Sequence, residues 1–444
     1  MRRRPFAAVA GLLLLLGLAV GPGTAGAAPP LAPVDAPELR TTWFFAEGAT
    51  APPFDTWLLL FNPNAAAAAA ATATVTFFGD GPIATRTVTI APNTRASLFV
   101  NQFLPNAAFG MRVDANIPIA AERAMYFRQD GTVVVGVPEP RTTWLFAEGA
   151  TAQPFDTWFL LLNPNTTPAT ATLTFFFEGG GSQSTALVLP PLSRRSVFAN
   201  QVLPPAAFST RITSDQPIVA ERSMFKISTG GGHAVAGVPE ARSAWFFAEG
   251  ATVQPFDTWY LFFNPNANPV RVLMRFFPEA TGPGALLDFT VPPNARQSLF
   301  ANLVQPNVSL GATVVTEGGP IVVERAIYFG GGAHASQGAI GPDTTWFFAE
   351  GSTAFPFQQW YLLVNPSAEA DATATLTFFV EGGAPVTRSF RVPGQGRISI
   401  FTDLFLPQAA VSTRVSSDRP IVVERSMYFG GGNGGHNTIG IPGS

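Results

Sequence analysis

The chain has 444 residues, 47% hydrophobic and 12% charged, with a formal net charge of −3. It contains no cysteine, which excludes a disulfide framework and a thiolate metal site, and its acidic balance offers no basic footprint for nucleic acid; Lys226 is its one lysine. So apolar a chain must be held by its cores alone.

In chain order the first feature is "MRRRPFAAVAGLLLLLGLAVGPGTAGAAPP". Three arginines precede an apolar run from Phe6 to Val20, and small residues lead to Ala25-Gly26-Ala27. This layout predicts a cleaved secretory signal over residues 1–27, followed by a linker at 28–40. The run is shorter than the ~20 residues a bilayer span needs, and no later segment is apolar enough, so no membrane span is expected after cleavage. Losing Arg2, Arg3 and Arg4 takes the formal charge from −3 to −6.

Beyond the linker the chain repeats. One tryptophan falls at Trp43, Trp144, Trp245 and Trp346, and a second at Trp57, Trp158, Trp259 and Trp360. Each step is 101 residues, and these eight positions use the whole tryptophan complement. The period is too long for a solenoid and fits a small domain. The predicted units are residues 41–141, 142–242, 243–343 and 344–444.

Within the second unit, "TTWLFAEG" and "FDTWFLLLNPN" are apolar on both strand faces, and the latter closes on an Asn-Pro-Asn turn. "ATATLTFFFEGG" alternates Thr with apolar residues. "STALVLP" and "RRSVFAN" flank a proline turn, "FSTRITSDQP" and "IVAERSMFKI" flank Gln216-Pro217, and "HAVAGVP" ends the unit. About eight short strands with frequent turn signals predict an antiparallel β-sandwich of immunoglobulin type. The alanine run at 65–71 has helical propensity, but it replaces shorter loops in the other copies and is read as an expanded loop. The connections between units are short and carry proline. The expected fold is all-β: four tandem sandwiches in a stiff rod roughly 130–150 Å long.

The recurring charged residues are Glu47, Glu148, Glu249 and Glu350 in "AEG", and Glu122–Arg123, Glu221–Arg222, Glu324–Arg325 and Glu424–Arg425 in "ER". Paired carboxylates can serve glycoside hydrolysis. Recurrence in every copy instead favours a structural clasp between the AEG glutamate and the ER arginine. Neighbouring strand residues face opposite sides, so Glu and Arg of ER are not both expected in the core. Asp55, Asp156 and Asp257 in "FDTW" become Gln358 in copy four. Calcium held by Asp55, Asn62 and Asn64 is the sharper reading of that aspartate, and a local turn bond is the plainer one. His233, His334 and His436 lie in glycine-rich stretches, copy one has none, and these stretches are read as hairpin connections. The tryptophans are assigned to core packing ahead of sugar stacking. No catalytic residue, cofactor or metal is expected.

The combined pattern W-[FL]-F-A-E-G, F-D-T-W, N-P-N and E-R-[AS]-M-[YF]-F resembles repeat units of secreted and surface proteins of Gram-positive-type and filamentous bacteria. The resemblance covers all four units, implies an extracellular β-rich repeat and transfers no catalytic residue. The expected function is a structural, spacer or adhesive element of the cell surface or extracellular matrix. The alternative is an array of modules binding cell-wall or extracellular polysaccharide. Expected partners are such polysaccharides or other surface proteins, and not nucleic acid.

Overall fold

The computed structural model describes residues 39–65 and 69–443. The predicted signal, nearly all of the 28–40 linker and residues 66–68 of the alanine run lie outside the described residues. The alanines described on either side of that gap are irregular, and Ala71 opens a strand.

The first repeat contains β1 (Arg40–Phe45), β2 (Phe54–Asn62), β3 (Ala71–Phe78), β4 (Pro82–Ile90), β5 (Thr94–Phe99), β6 (Gly110–Phe127) and β7 (Asp130–Val135). They form two antiparallel four-stranded layers, ordered β4-β3-β6-β1 and β5-β2-β6-β7. β6 belongs to both: its first half pairs with β1 and β3, its second with β2 and β7. The switch falls at Pro118, which donates nothing to a ladder and so fits where two ladders part. Its counterpart Pro217 lies inside one continuous strand, Phe208–Lys226. The turn expected at Gln216-Pro217 is therefore a change of sheet, and two predicted strands merge into one. In the third repeat Gly318-Gly319-Pro320 does break the strand, into Leu310–Glu317 and Val322–Phe329.

The indoles of Trp43, Trp144, Trp245 and Trp346 are buried beside this switch. Each Nε1–H donates to the carbonyl of the isoleucine after the proline: Ile119, Ile218, Ile321 and Ile421, at 2.8–2.9 Å. An acceptor at the switch is thus satisfied by the residue that fills the core beneath it.

The four repeats are β-sandwiches in tandem, but two finer expectations need correcting. The strand order is not that of an immunoglobulin domain, whose sheets read ABED and CFG. Nor do the repeats form a rod. β7 and its counterparts Gly231–Ala236, Gly332–Gln337 and Gly434–Ile439 each lie against the next, and the fourth lies against the first. The repeats close around a common axis with pseudo-fourfold symmetry. The physical reason lies in β1, whose two faces are both apolar. Trp43 and Phe45 fill the repeat's own core, while Phe44 and Ala46 join the core of repeat two. Likewise Phe347, Ala349 and Phe379 of repeat four join the core of repeat one, where Phe379 meets Phe61 with ring centroids 5.1 Å apart. A rod would leave one such face of each terminal repeat in water.

Candidate functional site

The buried charges lie at the junctions between repeats. In copy two, Arg222 donates through Nη2 to Glu148 Oε2 (2.8 Å) and through Nη1 to the Glu148 carbonyl (2.7 Å), both in its own repeat. The same Nη1 donates to Glu324 Oε2 of repeat three at 2.7 Å. Glu324 also accepts the Ala147 amide of repeat two at 2.7 Å. The first junction repeats this, with Arg123 on Glu47 (3.2 Å) and Glu221 (2.6 Å), and Ala46 N on Glu221 (2.7 Å). At the third, Arg325 meets Glu424 (2.9 Å) and, more distantly, Glu249 (3.8 Å). At the fourth, Arg425 of the last repeat meets Glu350 (2.7 Å) and Glu122 of the first (3.0 Å), which closes the circle.

The anticipated pairing of AEG glutamate with ER arginine is therefore present in every copy, and the ER glutamate serves the preceding copy. Both residues of ER are buried, contrary to expectation. They do face opposite sides of the strand, but the glutamate's side is covered by the preceding repeat.

Four further arginines join the set: Arg95, Arg194, Arg296 and Arg397. Arg194 Nε donates to the Ala46 carbonyl (3.2 Å), Arg397 Nε to that of Ala248 (2.8 Å), and Arg95 Nη1 to those of Gly351 and Val411 (2.9 and 2.8 Å). Arg296 pairs with Glu178 at 3.0 Å. Each reaches back to the preceding repeat. Sequence reasoning missed them, although R-x-S-[LVI]-F recurs in all four copies and was the signal to follow. Arg95 and Arg397 likewise pair with Glu381 and Glu279 of the preceding repeat, so three of these arginines have carboxylate partners of their own beside the AEG and ER set. Desolvation raises Glu122, Glu221 and Glu324 above the usual carboxylate range, against the pull of Arg425, Arg123 and Arg222 respectively. At Glu350 burial also pushes upward, but His436, Arg425, Tyr126 and Arg95 together hold the carboxyl below its usual value.

The histidines are not in loops. They occupy the β7 counterparts and are buried, while the glycines before them make the hairpin turns. Each sits near the AEG glutamate of its own repeat: His233 on Glu148 at 3.5 Å, His334 on Glu249 at 3.7 Å, His436 on Glu350 at 3.6 Å. That glutamate also accepts a tyrosine hydroxyl from the next repeat: Tyr328 on Glu148 (2.9 Å), Tyr428 on Glu249 (2.7 Å), Tyr126 on Glu350 (2.8 Å). The first junction has lost both partners together. Thr132 stands in the histidine position, Phe225 in the tyrosine position, and Ser223 bonds Glu47 (2.6 Å), as Ser426 bonds Glu249.

Above the third junction the surface opens into a cleft of about 280 Å³, near the low end of the ~300–1,000 Å³ usual for small-molecule sites. Glu249, Arg397 and Tyr428 are among its polar lining, and Phe256 and Trp360 among its aromatic lining. Trp360 is half-buried and stacks on Phe401 with centroids 4.5 Å apart. Trp57, Trp158 and Trp259 stack the same way on Phe99, Phe198 and Phe300. Assignment to the core thus holds for Trp43, Trp144, Trp245 and Trp346. The other four are corrected to partly exposed residues, and Trp360 among them lines the cleft.

Asp55 accepts Asn101 Nδ2 at 2.9 Å, and Asn62 is buried at the other end of β2, donating to the Ile90 carbonyl at 3.0 Å. Seven residues at ~3.3 Å each hold them about 23 Å apart, so they cannot share one ion. Among the described residues no three His, Asp or Glu side chains are placed to hold a metal, and no helix is long and apolar enough to cross a membrane.

No family model matches the chain, and no curated protein aligns with it. Among solved structures, a Thermotoga maritima protein numbered 1070 is similar at 15% identity, with 23% of this chain and 96% of that one covered and a TM-score of 0.22. The Anabaena sensory rhodopsin transducer is similar at 18% identity over 19% of this chain and 88% of its own, with a TM-score of 0.18. A tetra-tandem repeat from the extending region of a large adhesion protein is similar at 12% identity over 86% and 94%, with a TM-score of 0.10.

Proposed function

We propose that this is a secreted, non-catalytic protein of the bacterial cell surface or extracellular matrix. It adheres by binding carbohydrate in the cleft between its third and fourth repeats. The observation that carries the reading is the third-junction cleft, where the partly exposed Trp360 stands beside Glu249, Arg397 and Tyr428. An aromatic face beside carboxylate, guanidinium and hydroxyl groups suits a ligand with apolar ring faces and a polar rim. The contact between first and last repeats supports adhesion ahead of a spacer role. The non-catalytic reading is supported by the arginine bonds that already occupy the junction carboxylates.

The test uses the mature full chain on arrayed cell-wall and extracellular glycans. Saturable binding that is lost when Trp57, Trp158, Trp259 and Trp360 are all changed to Ala, with the fold retained by circular dichroism, supports the reading. Absence of glycan binding, or binding indifferent to those changes, overturns it. Glu249→Gln tests the non-catalytic part. The expected outcome is a lower melting temperature with no hydrolysis to lose, and glycan hydrolysis abolished at unchanged stability contradicts it.

A further inference from the structure

On the pseudo-fourfold axis lies one carboxylate, that of Asp130 at the start of β7, 2% exposed. Gly232 N donates to its Oδ2 at 2.9 Å, Ala333 N to Oδ2 at 3.0 Å and Gly435 N to Oδ1 at 2.9 Å. The amide of Gly131, the next residue in the chain, faces the same carboxyl. These four donors occupy one position in four repeats, since Gly131 pairs with Tyr126, Gly232 with Phe225, Ala333 with Tyr328 and Gly435 with Tyr428. One amide from each repeat therefore converges on a single acidic group.

The counterparts of Asp130 are Gly231, Gly332 and Gly434. A Cβ on Gly231 would collide with the Gly331 carbonyl, and one on Gly434 with the Gln129 carbonyl. On Gly332 it would lie 2.8 Å from the Asn433 carbonyl. In each case the obstruction is backbone of the next repeat. Four carboxylates could not ionise together at such a point in any case. The copies thus differ at the one position where they meet on the axis, and the difference places one carboxylate among four donors.

We propose that the axis is a carboxylate-binding site built from one backbone N–H of each repeat, with Asp130 as its covalently attached ligand. Its bonds reach the β7 counterparts of all three other repeats, so it ties the circle at its centre. The first repeat is the keystone, and the other three are receptors. A free carboxylate small enough to enter substitutes for the side chain when that is removed.

The test is chemical rescue in the full chain with formate. Asp130→Gly, which makes the position like its three counterparts, is expected to lower the melting temperature by about 2–6 °C. Formate is then expected to restore most of the loss, saturably and beyond its effect on wild type, with chloride at equal ionic strength less effective. Should the variant fold poorly, its refolding yield against formate concentration gives the same reading. Asp130→Asn keeps the shape but turns an amide donor toward backbone donors, and is expected to lower the melting temperature without formate rescue because the site stays filled. Wild-type stability in Asp130→Gly, or formate acting equally on variant and wild type, overturns the proposal.

Discussion

Each ER arginine is fully buried and meets two carboxylates, so removing it strands both. Arg222→Ala is expected to cost about 3–5 kcal/mol, the range for breaking a buried pair, read by denaturant unfolding. Arg425→Ala tests the closing junction and is expected to cost a similar amount; a loss under 1 kcal/mol would mean that repeats four and one do not bind. His436 supplies a pH signature. Burial lowers it to about 4, and Arg425 pushes the same way against Glu350, while the Tyr126 hydroxyl stands 3.3 Å from its Nε2. A histidine held below its unfolded value contributes stability above pH 6.5 that is lost as the pH falls toward 4. Relative to His436→Gln, wild type is therefore expected to lose on the order of 3 kcal/mol across that window, and parallel profiles would refute it. The clasp between AEG and ER was legible because strand alternation left the arginine as partner. That the ER glutamate serves another copy was not legible. Near-identical copies read the same whether a contact lies within one repeat or between two.

The strands themselves were legible, and turn residues marked most of their ends. β1 shows where the reading stopped. Its run of Trp43, Phe44, Phe45 and Ala46 was read as buried on both faces, which two sheets of one sandwich would explain. In the structure the second face belongs to the neighbouring repeat. Phe44→Ala is accordingly expected to destabilise by about 3–5 kcal/mol through the junction with repeat two, although Phe44 lies outside its own repeat's core. A cost below 1 kcal/mol would place that ring in solvent. The merged strand at Pro217 escaped prediction because proline signals a turn more often than a change of sheet. Asp130 was passed over because nothing in a linear sequence marks an axis.

At the scale of the molecule, the 101-residue step suits four independent beads, and short proline-bearing links suit a stiff rod. Those links are equally suited to hold each unit at a fixed angle to the next, and four equal angles close. The apolar outward faces, the junction arginines and the axial carboxylate all make sense in that closed form. Small-angle X-ray scattering of residues 28–444 tests closure most directly. A compact chain of about 400 residues has a radius of gyration near 22 Å, whereas a rod about 140 Å long has one near 40 Å. The closed arrangement predicts a value in the low twenties of ångströms with a maximum dimension well under 100 Å, and a value near 40 Å would contradict it.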